Sequence, residues 1–201
     1  MNPHPDSALP VGPTGPAARP LSDAPALAER AADLLRTPGA LLNLTPAESA
    51  CVVAQMRLVH FAAGVTLFRE GDGTGLDRML LLLDGEVTID TGSAGLAGGP
   101  VAISVVGAGS IIGEMALLDG APRSASCTTI SPVQAAGLSR KGLELLIDQQ
   151  PRAAAKLLVG LSTRIGERLR ALGEQLQMYA KLVEDQQAEI ERLRGAGGRA
   201  R

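Results

Sequence analysis

The residues best suited to chemistry in this chain are Gly113-Glu114-Met115-Ala116-Leu117-Leu118 and, beyond a reversal at Gly120 to Pro122, Arg123-Ser124. The chemistry they offer is the holding of an anion. Gly113 follows Ile111-Ile112 and permits a tight turn with close backbone approach. Met115 to Leu118 amounts to one helical turn, whose first N–H groups have no acceptor within the turn. Arg123 returns a fixed positive fork suited to two phosphate oxygens, with the Ser124 hydroxyl beside it. Glu114 is an acceptor able to take hydrogen bonds from a sugar hydroxyl a few ångströms from that phosphate. The residues alone leave a second reading open: a strand-turn-helix-strand corner in which Glu114 and Arg123 merely pair with each other.

The elements that must position these residues follow from the changing hydrophobic period. Residues 1–24 are rich in Pro, Ala and Gly without a period, and are expected to be a disordered leader. Ala26 to Arg36 reads as a helix, with Pro25 at its first position and Pro38-Gly39 as its stop. Thr45-Pro46-Ala47-Glu48 forms a capping-box pattern ahead of a short helix to about Met56. Strand-like runs then follow at His60-Phe61, Val65 to Phe68, Arg78 to Asp84, Glu86 to Asp90 and Val101 to Val106. They resume at Ser124 to Ile130 and Val133 to Leu138, with Gly- or Asp-containing turns between them. Many short strands with frequent Gly turns predict an α+β fold: an antiparallel β-roll, jelly-roll-like, flanked by short helices. Ser139 should cap a helix ending near Gln149, and Pro151 should open a long one running to about Arg194, ahead of a flexible tail at 195–201.

Composition excludes several function classes. The 201 residues suit one compact domain with appendages. Hydrophobic residues are 45 % but aromatics only 1 %, so Leu, Val, Ile and Ala must build the core. Nineteen basic and 21 acidic residues give a net charge of −2, a poor footprint for nucleic acid. Cys51 and Cys127 are widely separated, and His4 and His60 are the only histidines. That set fits buried thiols rather than a disulfide framework, a zinc site or an iron–sulfur cluster, and no metal is expected. No catalytic cluster is visible, so the chain is not expected to be an enzyme. It lacks a secretory pattern and a membrane-length apolar run, which points to a cytoplasmic protein.

The run from Gly113 to Leu118 and on through Pro122-Arg123-Ser124-Ala125-Ser126 resembles the phosphate-binding cassette of the cyclic-nucleotide-binding domain family. Leu67-Phe68-Arg69-Glu70-Gly71-Asp72 and Leu83-Asp84-Gly85-Glu86-Val87 resemble two turn motifs of that family, in the same order. The resemblance extends from about Leu41 to the long helix, and is similar to the sensor half of bacterial catabolite-activator (Crp/Fnr-like) regulators. It implies a β-roll in which Glu114 accepts from the ribose 2′-OH and Arg123 neutralises the cyclic phosphate. Backbone groups near Gly113, Met115 and Ala116, with the Ser124 hydroxyl, would complete the nucleotide-binding site. Ile112 departs from the family's frequent Phe, which should repack a pocket wall without removing a polar contact. The implied ligand is cyclic AMP, favoured because bacterial catabolite-activator-like members carry Ser after the arginine, with cyclic GMP the alternative.

Along the long helix Leu169, Leu172, Leu176, Tyr179, Val183, Ile190 and Leu193 recur at alternating steps of three and four, with Gln186 in the remaining seam position. This is a heptad seam, and its expected partner is a second copy in a parallel coiled coil, with Gln186 fixing register. Gly166 and Gly173 on one flank suggest close approach of the barrel or the bound base, and Arg168 is a candidate lid over that base. The expected organisation is a leader (1–24), a nucleotide-binding domain (25–150), a dimerisation helix (151–194) and a tail (195–201). Catabolite-activator regulators continue into a helix-turn-helix, whereas here the coil is expected to take that reader's place, so direct DNA regulation is not expected. The expected function is a homodimeric signal-transduction sensor that acts on an unknown protein partner by conformational change. The alternatives are a coiled-coil adaptor with a vestigial pocket and a DNA-associated factor using the Arg-containing tail.

Overall fold

A computed structural model of the chain describes residues 18–37, 44–73, 77–94 and 100–197. Its elements run β1 (Arg19–Pro20), a 3-10 turn (Leu21–Asp23), α1 (Pro25–Arg36), α2 (Pro46–Ala54), β2 (Met56–Phe61), β3 (Thr66–Phe68), β4 (Arg78–Asp84), β5 (Val87–Ala94), β6 (Pro100–Val106) and β7 (Ile111–Ile112). There follow α3 (Glu114–Asp119), β8 (Ser126–Thr129), β9 (Val133–Ser139), α4 (Arg140–Gln149) and α5 (Pro151–Gly197). The strands form two antiparallel sheets, ordered β1-β2-β9-β4-β7 and β3-β8-β5-β6. Antiparallel sheets with flanking helices and a long C-terminal helix are the β-roll architecture expected from the sequence.

Strand β4, RMLLLLD, explains how so few aromatics suffice. Met79, Leu81 and Leu83 enter one core cluster, shared with α1, α2, α4 and the start of α5. Leu80 and Leu82 point the other way, into a second cluster with Val87, Ile89, Cys127 and Val133. Period-2 alternation thus gives both faces of one strand a buried partner. Strands β2 and β9 do the same, with Met56, Leu58, Ala136 and Leu138 in the first cluster and Val59, Val133 and Ala135 in the second. Burial pushes the Cys127 thiol, in the second cluster, up to about 12, so it stays a neutral packing group.

Several expected boundaries shift. The end of the expected leader enters the fold: Arg19 and Pro20 pair with Leu58 and Arg57, and Leu21 is fully buried. A two-residue strand is too short to show a period, and one leucine supplies the anchor. Residues 1–17, the stop at Pro38-Gly39 and residues 198–201 lie outside the described residues. Strand β2 starts at Met56 rather than near His60, because Gln55 ends α2 and Met56 and Leu58 at once alternate inward. Helix α5 continues to Gly197. At Gly85, φ is +86° and a Cβ would lie 2.3 Å from the Pro132 carbonyl oxygen, so that turn admits only glycine.

The capping box at α2 forms as the sequence predicts. Thr45 N–H donates to Glu48 Oε2 at 2.8 Å, and Glu48 N–H donates to Thr45 Oγ1 at 3.2 Å. The same carboxylate accepts from Lys156 Nζ of α5 at 2.6 Å and faces Arg152 Nε at 3.5 Å. The Lys156 ammonium, then the Thr45 N–H, hold Glu48 down at about 2, against an ordinary 4.5. A folded-state pKa below the unfolded one adds stability above about pH 4.5 that is lost as pH falls towards 2. Glu48→Gln is therefore expected to lower Tm at neutral pH and to flatten the decline of Tm between pH 4.5 and 2. Thermal melts across that range decide it; parallel wild-type and variant curves would count against the contact.

The chain divides into a unit ending at Leu161 and a second from Ser162 onward. Ala153, Ala154, Leu157 and Leu161, the first turns of α5, are buried in the first core cluster. In the second unit the seam residues Leu169, Leu172, Leu176, Tyr179, Val183 and Ile190 are all exposed in the single chain, Leu176 by 70 %. Neither helical glycine is crowded: a Cβ at Gly173 meets nothing within 4 Å, and one at Gly166 meets only the Arg170 guanidinium, from 3.6 Å.

Candidate functional site

Arg123 is placed by the turn that follows β3. Gly71 N–H donates to the Arg123 carbonyl at 2.8 Å, and Arg123 N–H donates to the Asp72 carbonyl at 3.0 Å. That turn is itself closed by Asp72 Oδ2, which accepts from Arg69 N–H at 2.8 Å, while Glu70 N–H donates to Ser126 Oγ at 3.1 Å. The Leu67 to Asp72 motif thus has a local purpose: it fixes the main chain that carries the arginine.

The guanidinium lies over the Phe68 ring, 4.4 Å from its centroid, and is buried. Its Nη1 donates to the Gly113 carbonyl at 3.0 Å and its Nη2 to the Arg78 carbonyl at 3.2 Å. Gly113 has φ +73°, and a Cβ there would stand 2.5 Å from Nη1. Glycine is required twice over, by the backbone and by the fork packed against it. Burial lowers the pKa of Arg123, while the charges of Asp77, Asp72 and Glu114 oppose that shift and favour the cation. The site therefore keeps a positive fork in a largely dry setting.

Helix α3 begins immediately after Gly113. Glu114 and Ala116 are buried, and Met115 is exposed. Ser124 is exposed, with its Oγ 3.7 Å from Met115 Sδ. Gly113 to Ala116 and Arg123 to Ser124, ten residues apart in sequence, are thus drawn together from the two sides of α3. A desolvated guanidinium, a carboxylate and a hydroxyl around a glycine turn can hold an anion that also carries a hydroxyl-bearing group.

The cyclic nucleotide-binding domain family matches residues 58–150. A solved cyclic nucleotide-binding domain from Methylobacillus flagellatus is 31 % identical, over 72 % of this chain and 79 % of its own, with a TM-score of 0.63. The chain belongs to the cyclic nucleotide-binding domain family.

Among relatives, a CRP-like cAMP-activated global transcriptional regulator of Mycobacterium tuberculosis is 29 % identical over 133 residues, 66 % of this chain and 58 % of the regulator. A cAMP-dependent protein kinase regulatory subunit of Colletotrichum orbiculare is 30 % identical over 115 residues, 57 % of this chain and 28 % of the subunit. The chain thus matches well under two thirds of either relative's length. It is a cyclic nucleotide-binding regulatory domain related to both groups.

Within this cyclic nucleotide-binding domain the sequence reading missed four parts of the site. Phe68 and Asp72 stood in the turn motif but carried no assigned role, although Phe68 is one of only two phenylalanines in the chain. Asp77 gave no signal, and the Arg78 carbonyl could give none, because a main-chain acceptor has no residue signature. Arg168 lies in the second unit and is exposed there. Among the described residues no group of three His, Cys, Asp or Glu side chains is arranged to hold a metal ion, and no helix is long and apolar enough to cross a membrane.

Proposed function

We propose that the chain is a cyclic-nucleotide sensor, with cyclic AMP its preferred ligand over cyclic GMP, that pairs through α5 and transmits binding to a protein partner. The observation that carries the reading is the buried Arg123 fork, held on Phe68 and against the Gly113 carbonyl at the start of α3. In this reading Arg123 neutralises the cyclic phosphate, with the Ser124 hydroxyl and main-chain groups of Gly113, Met115 and Ala116. Glu114 accepts from the ribose 2′-OH. The cyclic AMP preference is supported by Ser124 and by relatives whose names specify cAMP. Pairing is supported by the exposed heptad seam.

A thermal-shift panel of cyclic AMP, cyclic GMP and linear AMP on the full chain tests the ligand. At about 100 times Kd, binding to the folded state alone stabilises by about 2.7 kcal/mol. Cyclic AMP should raise Tm most and linear AMP least. No shift with any cyclic nucleotide would leave a coiled-coil adaptor with a vestigial pocket.

A further inference from the structure

Arg140, the first residue of α4, touches both sides of the anion cradle without belonging to it. Its main-chain N–H donates to the Asp77 carbonyl at 2.6 Å. The next carbonyl along, that of Arg78, accepts from Arg123 Nη2. At the other end of its side chain, Arg140 Nη2 donates to the Ala116 carbonyl at 3.1 Å. That carbonyl also accepts from Gly120 N–H at 3.0 Å and so closes α3. A Cβ at Gly120 would lie 3.4 Å from Arg140 Nη2, so the glycine there leaves the guanidinium its room. Helix α4 is fixed in turn at its start, where Ser139 Oγ accepts from Gly142 N–H at 3.1 Å. It runs into α5 through Gln150, whose carbonyl accepts from Ala154 N–H at 3.0 Å.

We propose that Arg140 is the positioning residue that couples the cradle to α4 and the start of α5. The proposal rests on the cyclic-nucleotide reading. A phosphate on the Arg123 fork competes with the Gly113 and Arg78 carbonyls for the same two nitrogens. Any exchange of partners there displaces α3 from one side and residues 77–78 from the other. Both displacements end on Arg140, one at its side chain and one at its main chain. Packed elements move as bodies rather than deform smoothly, so α4 must follow or lose a bond. Single-chain sequence reading had no means of finding this residue, because its role depends on two carbonyls far apart in sequence.

The test is amide hydrogen exchange on the full chain, with and without saturating cyclic AMP, for wild type and Arg140→Ala. In wild type, ligand should change exchange in α3 and also in α4 and the first turns of α5, by roughly fivefold or more. In Arg140→Ala the α3 change should remain and the α4–α5 change should be largely lost. Affinity should fall by less than about tenfold, since one hydrogen bond outside the ligand contacts is removed. Arg140→Lys keeps charge and most of the side chain, so it should restore part of the α4–α5 response, and it serves if the alanine variant does not fold. A wild-type-sized α4–α5 change in the Arg140→Ala complex, or an Arg140→Lys complex with no more α4–α5 change than Arg140→Ala, overturns the role of Arg140. So does a wild-type complex with no α4–α5 change. Failure of wild type to bind any cyclic nucleotide is a different result, and it removes the functional reading instead.

Discussion

Arg123→Ala is expected to weaken cyclic AMP binding by roughly 10- to 150-fold, because a charge-assisted, two-pronged contact is worth about 1.5–3 kcal/mol. The setting of Arg123 favours the upper part of that range. The guanidinium is buried and lies on Phe68, and neighbouring carboxylates help keep it cationic, so little solvent screens a phosphate brought to it. The same burial means that alanine also removes packing and leaves the Gly113 and Arg78 carbonyls without their donors. Stability will fall as well, so binding must be measured by calorimetry well below the variant's own Tm. Arg123→Lys separates the two effects: it retains charge and stem but loses the fork, and should bind between wild type and alanine. Ser124→Ala should cost less than either, since its hydroxyl is exposed and neutral. A folded Arg123→Ala protein with wild-type affinity would place the phosphate elsewhere.

How much of this was legible beforehand depends on the range of the interaction. Local signals were read almost to the residue: Pro25 at the start of α1, the Thr45–Glu48 capping box and the Ser139 cap of α4 are all formed. So was the strand β4, because an unbroken apolar run between turn residues suits a strand buried on both faces. Medium-range pairing was harder to see. The sequence pattern ends the helix at about Met56 and shows a strand only from His60, since the four residues Met56 to Val59 cannot separate one period from another. Leu21 could not be assigned to the core because nothing near it repeats. At the site, Gly113, Glu114, Arg123 and Ser124 were named from their types and spacing. The parts that hold them were not, because the Phe68 ring, the Arg78 carbonyl and Arg140 reach the cradle only through tertiary contact. Lys156 on Glu48 is the same lesson, a partner 108 residues away that no local pattern announces.

Leu176→Glu is expected to convert a dimeric protein to a monomer. Leu176 is an a-position residue of the seam and is 70 % exposed in the single chain. Burying a leucine is worth about 1.5–3 kcal/mol, so losing one from each copy removes roughly 3–6 kcal/mol per dimer, or about 140- to 20,000-fold in Kd. Two carboxylates brought opposite each other add to that loss. Gln186→Leu should act in the opposite direction. A glutamine at a d position is a polar group in an apolar seam, so leucine should raise coil stability while loosening the choice of register. Light scattering on gel-filtered protein at micromolar concentration checks both. Wild type that runs as a monomer would remove the coil from the functional reading, whereas a dimer unaffected by Leu176→Glu would move the interface off this seam. The two substitutions therefore test the pairing helix by itself, because Leu176 and Gln186 lie outside the unit that contains Arg123.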